Sequence, residues 1–384
     1  MFKQFKNYLG KIYEKNNLHT QKSYFMDIGE ASWNRRDYKA FANDAYIKNV
    51  VAHKAINLIC RSASSVEIIV KGKGKATEDI ISQLLRSPNP KESQTELFYS
   101  LYAYKLINGN AFLLAGSSSK RSKPHELYCL RPDRIKLETN EHFVPNCYIY
   151  STGRYNIKYK VDQVTGFSQI LQLKNFHPLD DFHGLSSIEA AAYSIDQHNQ
   201  AAAWNQSLLQ NGARPSGAIV VNNKDSGHRL TDEQFSRLKS MVNDVYSGTR
   251  NSGKPMVLEG GLEWREMSLS PKDMDFIECK NSAARDIALA FGVPPQLLGI
   301  PGDNTYSNLK EARIAFWEQT VLPITQGVLE KIGNWLSQMF DQEIKLSYSI
   351  DTIPVFAAQR ESMWEKVKGA DFLSNEEKKK LLGL

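Results

Sequence analysis

Two long helical runs bracket a compact piece, and that arrangement limits what the chain can become. The first run opens at Ser186-x-x-Glu189, a capping-box spacing, and continues as SIEAAAYSIDQHNQAAAWNQSLLQN to Gly212. The second opens at Ser270-Pro271-Lys272-Asp273 and runs to Phe291. It has a capping hydroxyl, proline at the first helical position and a carboxylate in the first turn. At the rise of an α-helix they reach roughly 40 Å and 30 Å. Between them SGAIVV reads as a strand, Thr231-x-x-Gln234 caps a helix to Tyr246, and PMVLEG and LEWREMSL read as two further strands. A compact α/β insertion carried on two long helices is expected to project from the body.

Upstream, 44–64 places Ile47, Val50, Val51, Ala55, Leu58 and Ile59 on one helical face. VEIIVKGK reads as a strand. A helix over 76–86 stops at SPNP, because proline disfavours helical backbone in the residue before it. Residues 93–108 form another helix, with Ser93 and Glu96 at capping-box positions and Gly109 as terminator. AFLLAGS, ELYCLRP, RIKLET, CYIYST, YNIKYKV and ILQLKNF are short β-branched and aromatic runs between turn residues. Residues 111–176 therefore read as a β-rich module. Downstream, 306–339 carries Leu309, Ala312, Phe316, Ile324, Val328, Ile332 and Trp335 on one stripe, and Pro323 predicts a kink near Thr320.

With 384 residues, 41% of them hydrophobic and 23% charged, the chain is globular, with two or three domains or one elongated multi-part subunit. It has no run of about 18 apolar residues, so no transmembrane helix is expected. Residues 1–40 hold eight Lys/Arg and four Asp/Glu, which is +4 of the total +6. They read as a basic arm without the apolar core of a secretory signal. The overall charge suits weak contact with nucleic acid and lacks the dense basic stripe of a sequence-specific binder. Cys60, Cys129, Cys147 and Cys279 are widely spaced with no CxxC, which predicts free thiols in a reducing compartment.

Enzyme signatures are scarce. The chain contains no GxxxxGK[ST], HExxH or GxSxG, and no GxGxxG follows a strand. In FHPLDDFHG, residues 176–184, His177, Asp180, Asp181 and His183 would offer two nitrogens and two oxygens to a divalent metal. That would make the chain a metal-dependent nuclease or hydrolase. The competing reading, favoured by the composition, is a polar loop in which Asp180 or Asp181 accepts backbone N–H groups ahead of the helix at Ser186.

One stretch stands out for its stiffness. Within ALAFGVPPQLLGIPGDNTYSNLKEARIAFW, residues 288–317, two adjacent prolines and a Gly-Pro-Gly cluster separate two helices with almost no charge. Together with LLRSPNP, NGNAFLL, LYCLRPDRI, HPLDDFHGLSSIEAA, LLQNGARPSGAIVV and the ending FLSNEEKKKLLGL, it resembles the bacteriophage portal proteins. The likeness is to the compact HK97-like type of long-tailed phages, and it spans about 40–384.

The resemblance implies an α+β portal fold: an α/β wing, a two-helix stem, a small α/β clip and a long kinked wing helix. Its divisions would be a basic N-terminal arm 1–40, a wing with the β-rich module 41–184, stem helix 185–212, clip 213–269, stem helix 270–293, tunnel loop 294–306, long wing helix 307–340, and C-terminal wing or reduced crown 341–384. It implies a structural subunit of a ring, usually of twelve copies, at one capsid vertex. The ring would be a conduit for double-stranded DNA in packaging and ejection, without sequence specificity. Implied partners are the terminase large subunit, the major capsid protein and a head-tail adaptor, with no membrane. The place of action would be the virion vertex, and the host bacterial cytoplasm during assembly. No catalytic residue, cofactor or metal is implied. DNA would face Gly299, Ile300, Pro301, Gly302, Asp303, Asn304, Thr305 and Tyr306. Lys310 and Arg313 are the nearest cations, and at least one is expected to pair with Glu311 or a neighbouring subunit.

Overall fold

The computed structural model describes residues 37–117, 123–142, 144–210, 217–221, 231–246, 262–266, 276–302, 306–370, 374 and 376–378, all within one compact unit, Arg36–Leu384. Most of the basic arm, the proposed strand at 255–260 and the helix start at 270–273 lie outside them.

In chain order the main elements are α1 (Val50–Ser64), β1 (Ile68–Gly72), α2 (Lys75–Arg86), α3 (Gln94–Asn108), β2 (Asn110–Gly116), β3 (Glu126–Leu130), β4 (Ile135–Thr139), β5 (Pro145–Ser151), β6 (Asn156–Lys160) and β7 (Ile170–Lys174). Then follow α4 (Ala192–Gln210), β8 (Gly217–Val221), α5 (Asp232–Tyr246), β9 (Leu262–Glu266), α6 (Phe276–Ala290), α7 (Tyr306–Phe316), α8 (Leu322–Phe340), β10 (Ile344–Tyr348) and α9 (Ala357–Lys368). No helix among the described residues is long and apolar enough to cross a membrane.

The helix expected over 44–64 is divided. Asn49 accepts the N–H groups of Val51 at 3.1 Å and Ala52 at 3.0 Å, so α1 starts afresh there. The preceding Phe41–Ile47 is a π-helical segment. The restart changes the helical phase. Ala52, Ala55, Ile56, Ile59, Cys60 and Ala63 are buried, whereas Ile47 and Val50, expected on the inner face, are 68% and 70% exposed. The capping box of α3 forms as its spacing predicts. Ser93 Oγ accepts the Glu96 N–H, and the Glu96 carboxylate accepts the Ser93 N–H at 2.8 Å. Gly109 closes α3 in the left-handed region, at φ +78°.

All six short runs between 111 and 176 form strands. They make two antiparallel three-stranded sheets, ordered β3-β2-β7 and β4-β5-β6. Phe112, Leu130, Tyr148 and Ile170 form a small core shared by the two, with Phe112 and Tyr148 edge to face at 6.2 Å. The main core joins α1, α3, α6 and α8 through Ile56, Ile59, Leu97, Phe98, Tyr102, Ile287, Leu329, Ile332 and Leu336. Phe316 and Trp335 belong to it, and Trp335 Nε1–H donates to the Ser168 carbonyl at 2.8 Å.

Sequence reading assigned no strand after α8, yet β10 pairs antiparallel with β1, for example Val70 with Leu346. Its alternating Ile344, Leu346 and Tyr348 carried the signal, but five residues with a distant partner make a weak one. Downstream of the sheets, Ser186 caps a single turn, Ser187–Ala190, before α4 begins. Helices α4 and α6 pack on each other. Thr231 and Gln234 cap α5 reciprocally, at 3.0 and 3.3 Å, and β8 pairs with β9.

Candidate functional site

The turn from α6 to α7 is held from three sides. Gly292 follows α6 at φ +65°, and a Cβ there would meet Thr320 Oγ1 at 2.8 Å. In the glycine's place that hydroxyl donates to the Gly292 carbonyl, at 2.5 Å. Thr320 lies in a π-helical segment, Trp317–Val321, at the position of the predicted kink. Pro323 just beyond it lacks the N–H that an α-helix would direct at Gln319, and the wider turn accommodates the gap.

Pro295–Leu298 form one helical turn, which Gly299 ends at φ +77°. The chain then dips inward. Ile300 is 5% exposed and packs on Ala284 and Ala288 of α6, with Val51 and Leu298 beside it. Arg285 Nη2–H donates to the Pro301 carbonyl at 2.7 Å. Pro301 and Gly302 are exposed. So Ile300 and Arg285 are the inner anchors of the loop, and Pro301 with Gly302 forms its described outer surface.

Asp303, Asn304 and Thr305 lie outside the described residues, and Tyr306 opens α7. Lys310, Glu311 and Arg313 are exposed on α7, and neither cation forms an ion pair with another described residue of this subunit. Sequence reasoning missed Arg285 and Thr320 as partners of the turn. The available hint was small Ala284 and Ala288 one turn apart, which leave room for a returning side chain.

The loop at 176–184 has a different geometry from a metal centre. One Asp180 carboxylate oxygen accepts the N–H groups of Phe182 at 2.7 Å and His183 at 3.0 Å, and the other faces His183 Nδ1 at 2.9 Å. These bonds hold the Asp180 carboxyl down to about 2, against the burial that opposes them. His177 Nδ1 accepts the Leu179 N–H at 3.0 Å. Asp181 is exposed, and its main-chain carbonyl, not its carboxylate, accepts a bond from Lys174. Among the described residues no three His, Cys, Asp or Glu side chains converge to hold a metal ion. The polar-loop reading is the one observed, and nothing supports the hydrolase alternative.

The four cysteines are free, with Cys60 and Cys147 buried. Burial pushes the Cys60 and Cys129 thiols well above their ordinary value.

A family model described as phage portal protein matches residues 50–383. The chain belongs to the phage portal protein family. An uncharacterized protein of Rickettsia felis is 43% identical over 382 residues, spanning 99% of this chain and 97% of that one. The portal protein of Escherichia phage T5 is 22% identical over 321 residues, 81% of this chain and 74% of that protein. Among solved structures, a chain in the neck of the native gene transfer agent particle, computed with C12 symmetry, is 40% identical. It matches at TM-score 0.69 over 93% of this chain and 96% of its own. An HK97-family phage portal protein from Corynebacterium diphtheriae, 16% identical, shares the fold at TM-score 0.59, over 85% of this chain and all of its own. The α+β portal fold expected from the sequence is therefore the fold found, and the chain is a portal subunit.

Proposed function

We propose that twelve copies of this portal chain form a ring at one capsid vertex and that double-stranded DNA passes through its centre. The role is structural. In this reading α4 and α6 belong to the stem, 213–269 to the clip, and 41–184 with α7 and α8 to the wing. The C12 symmetry of the related particle neck supports the subunit number. Terminase large subunit, major capsid protein and a head-tail adaptor are the proposed partners, met without catalysis or sequence reading. The virion vertex is the proposed site of action, and the host bacterial cytoplasm the site of assembly.

One observation carries the proposed DNA contact: a stiff turn anchored inward by Ile300 and Arg285, with uncharged Pro301 and Gly302 outward. A conduit must touch a duplex without gripping it. Each lysine set on a phosphate releases counterions and adds affinity, and a ring multiplies that gain by its copy number. Gly299–Tyr306 contains no Lys or Arg and one Asp, so its ring would guide by shape. Lys310 and Arg313, further along α7, would supply weaker contacts.

Two experiments test this. Electron microscopy of the purified protein is expected to show rings with a central hole about as wide as a duplex, and a concentrated monomer would refute the ring. Asp303→Lys is expected to slow packaging at low salt and to recover as salt rises. Unchanged packaging at both salts would remove this loop from the DNA path.

A further inference from the structure

Three lysines from distant parts of the chain converge beside an exposed apolar loop. Lys105 lies in the last turn of α3, Lys174 ends β7, and Lys331 lies on α8. Lys105 Nζ donates to Asn175 Oδ1, whose amide in turn donates to the Leu185 carbonyl at 3.0 Å. Lys331 Nζ donates to the Lys174 carbonyl at 3.4 Å, and Lys174 Nζ to the Asp181 carbonyl. All of these acceptors are neutral, and none of the three lysines is ion-paired to a described carboxylate.

Burial, with Lys331 nearby, holds the Lys105 amine down to about 8. Burial and Lys174 lower Lys331 in the same direction. Asp180 is committed to its own loop, as described above. That loop presents Phe176 and Leu179 to solvent at 84% and 91% exposure. Uncompensated cations next to two large bare apolar side chains form an incomplete surface.

We infer that this surface receives an acidic segment of another protein chain, which places a carboxylate among Lys105, Lys174 and Lys331 and an apolar side chain on Phe176 and Leu179. A carboxylate would form charge-assisted bonds with the free ammonium N–H groups and relieve their mutual repulsion. A duplex fits the site less well. Lys105 is only partly exposed, and Phe176 and Leu179 would gain nothing against a phosphate backbone.

The test uses the full chain and a fluorescein-labelled peptide, Gly-Ser-Asp-Phe-Asp-Leu-Gly-Ser, read by anisotropy. Saturable binding is expected, with at least tenfold weaker binding for the counterpart with Asn in place of Asp. Lys174→Met with Lys331→Met, both exposed positions, should weaken it about tenfold, as should Phe176→Ser with Leu179→Ser. Circular dichroism spectra matching the parent chain, with cooperative thermal unfolding, establish that the variants fold. Lack of saturable binding would overturn the inference, as would equal affinity for the Asn peptide. So would a short duplex that displaces the peptide with the same lysine dependence, which would assign the patch to nucleic acid. The result is independent of whether rings form.

Discussion

At the scale of single residues, the least forgiving point is a backbone crossing. A Cβ on Gly109 would lie 2.1 Å from the Gly184 carbonyl oxygen, and one on Gly184 would lie 2.2 Å from the Gly109 carbonyl oxygen. Gly109→Ala and Gly184→Ala are each expected to cost about 3 kcal/mol or more in urea unfolding. At Gly299 a Cβ meets nothing within 4 Å, so Gly299→Ala pays only for φ +77°, about 1 kcal/mol. Equal losses at the three positions would contradict this account. Lys105 makes a separate prediction. Its folded value, about 8, lies below the ordinary 10.5, so between those values the folded chain binds fewer protons than the unfolded one. Its contribution therefore rises with pH through that window. Lys105→Met should remove that part of the slope and stabilise the chain at neutral pH by about 1–2 kcal/mol. Comparing unfolding midpoints of the two proteins across the window reads it directly.

At the scale of elements, side-chain bonds join neighbours that are distant in sequence. Buried Ser186 accepts the Ile188 N–H at 3.0 Å and donates to the Ile107 carbonyl at 2.7 Å, tying the helical turn ahead of α4 to the end of α3. Ser186→Ala should cost about 1–2 kcal/mol. Thr320 ties the π-helical segment to the end of α6. Thr320→Val keeps the shape and removes the bond to Gly292, for about 1 kcal/mol. The sharper readout is hydrogen exchange. Amides of 292–302 should exchange faster while those of α3 do not change. Uniform acceleration would mean that Thr320 supports the whole core instead of the turn.

At the scale of the whole molecule, α6 leaves apolar side chains exposed within one subunit. Leu289 and Ile277 on α6 are 79% and 75% exposed. Neighbouring copies would cover such positions in a ring. Leu289→Asp should therefore abolish rings in electron microscopy and light scattering while circular dichroism stays that of the folded chain. Rings that persist with this variant would place the subunit contact elsewhere.

What could be read in the residues was local. Ser93 with Glu96, Thr231 with Gln234, Gly109 and the six β-rich runs announced elements whose signals lie a few positions apart, within reach of helical and strand periodicity. The order of motifs announced the family. Tertiary structure alone decided that Ile300 turns inward on Ala284 and Ala288, that Arg285 holds Pro301, that β1 finds β10, and that Asn49 restarts the first helix. It also decided that Lys105, Lys174 and Lys331 meet. Each of these depends on which surfaces face one another after packing. Neighbours along the chain determine local backbone preference, but burial and charge environment are set by partners that the fold brings from far away.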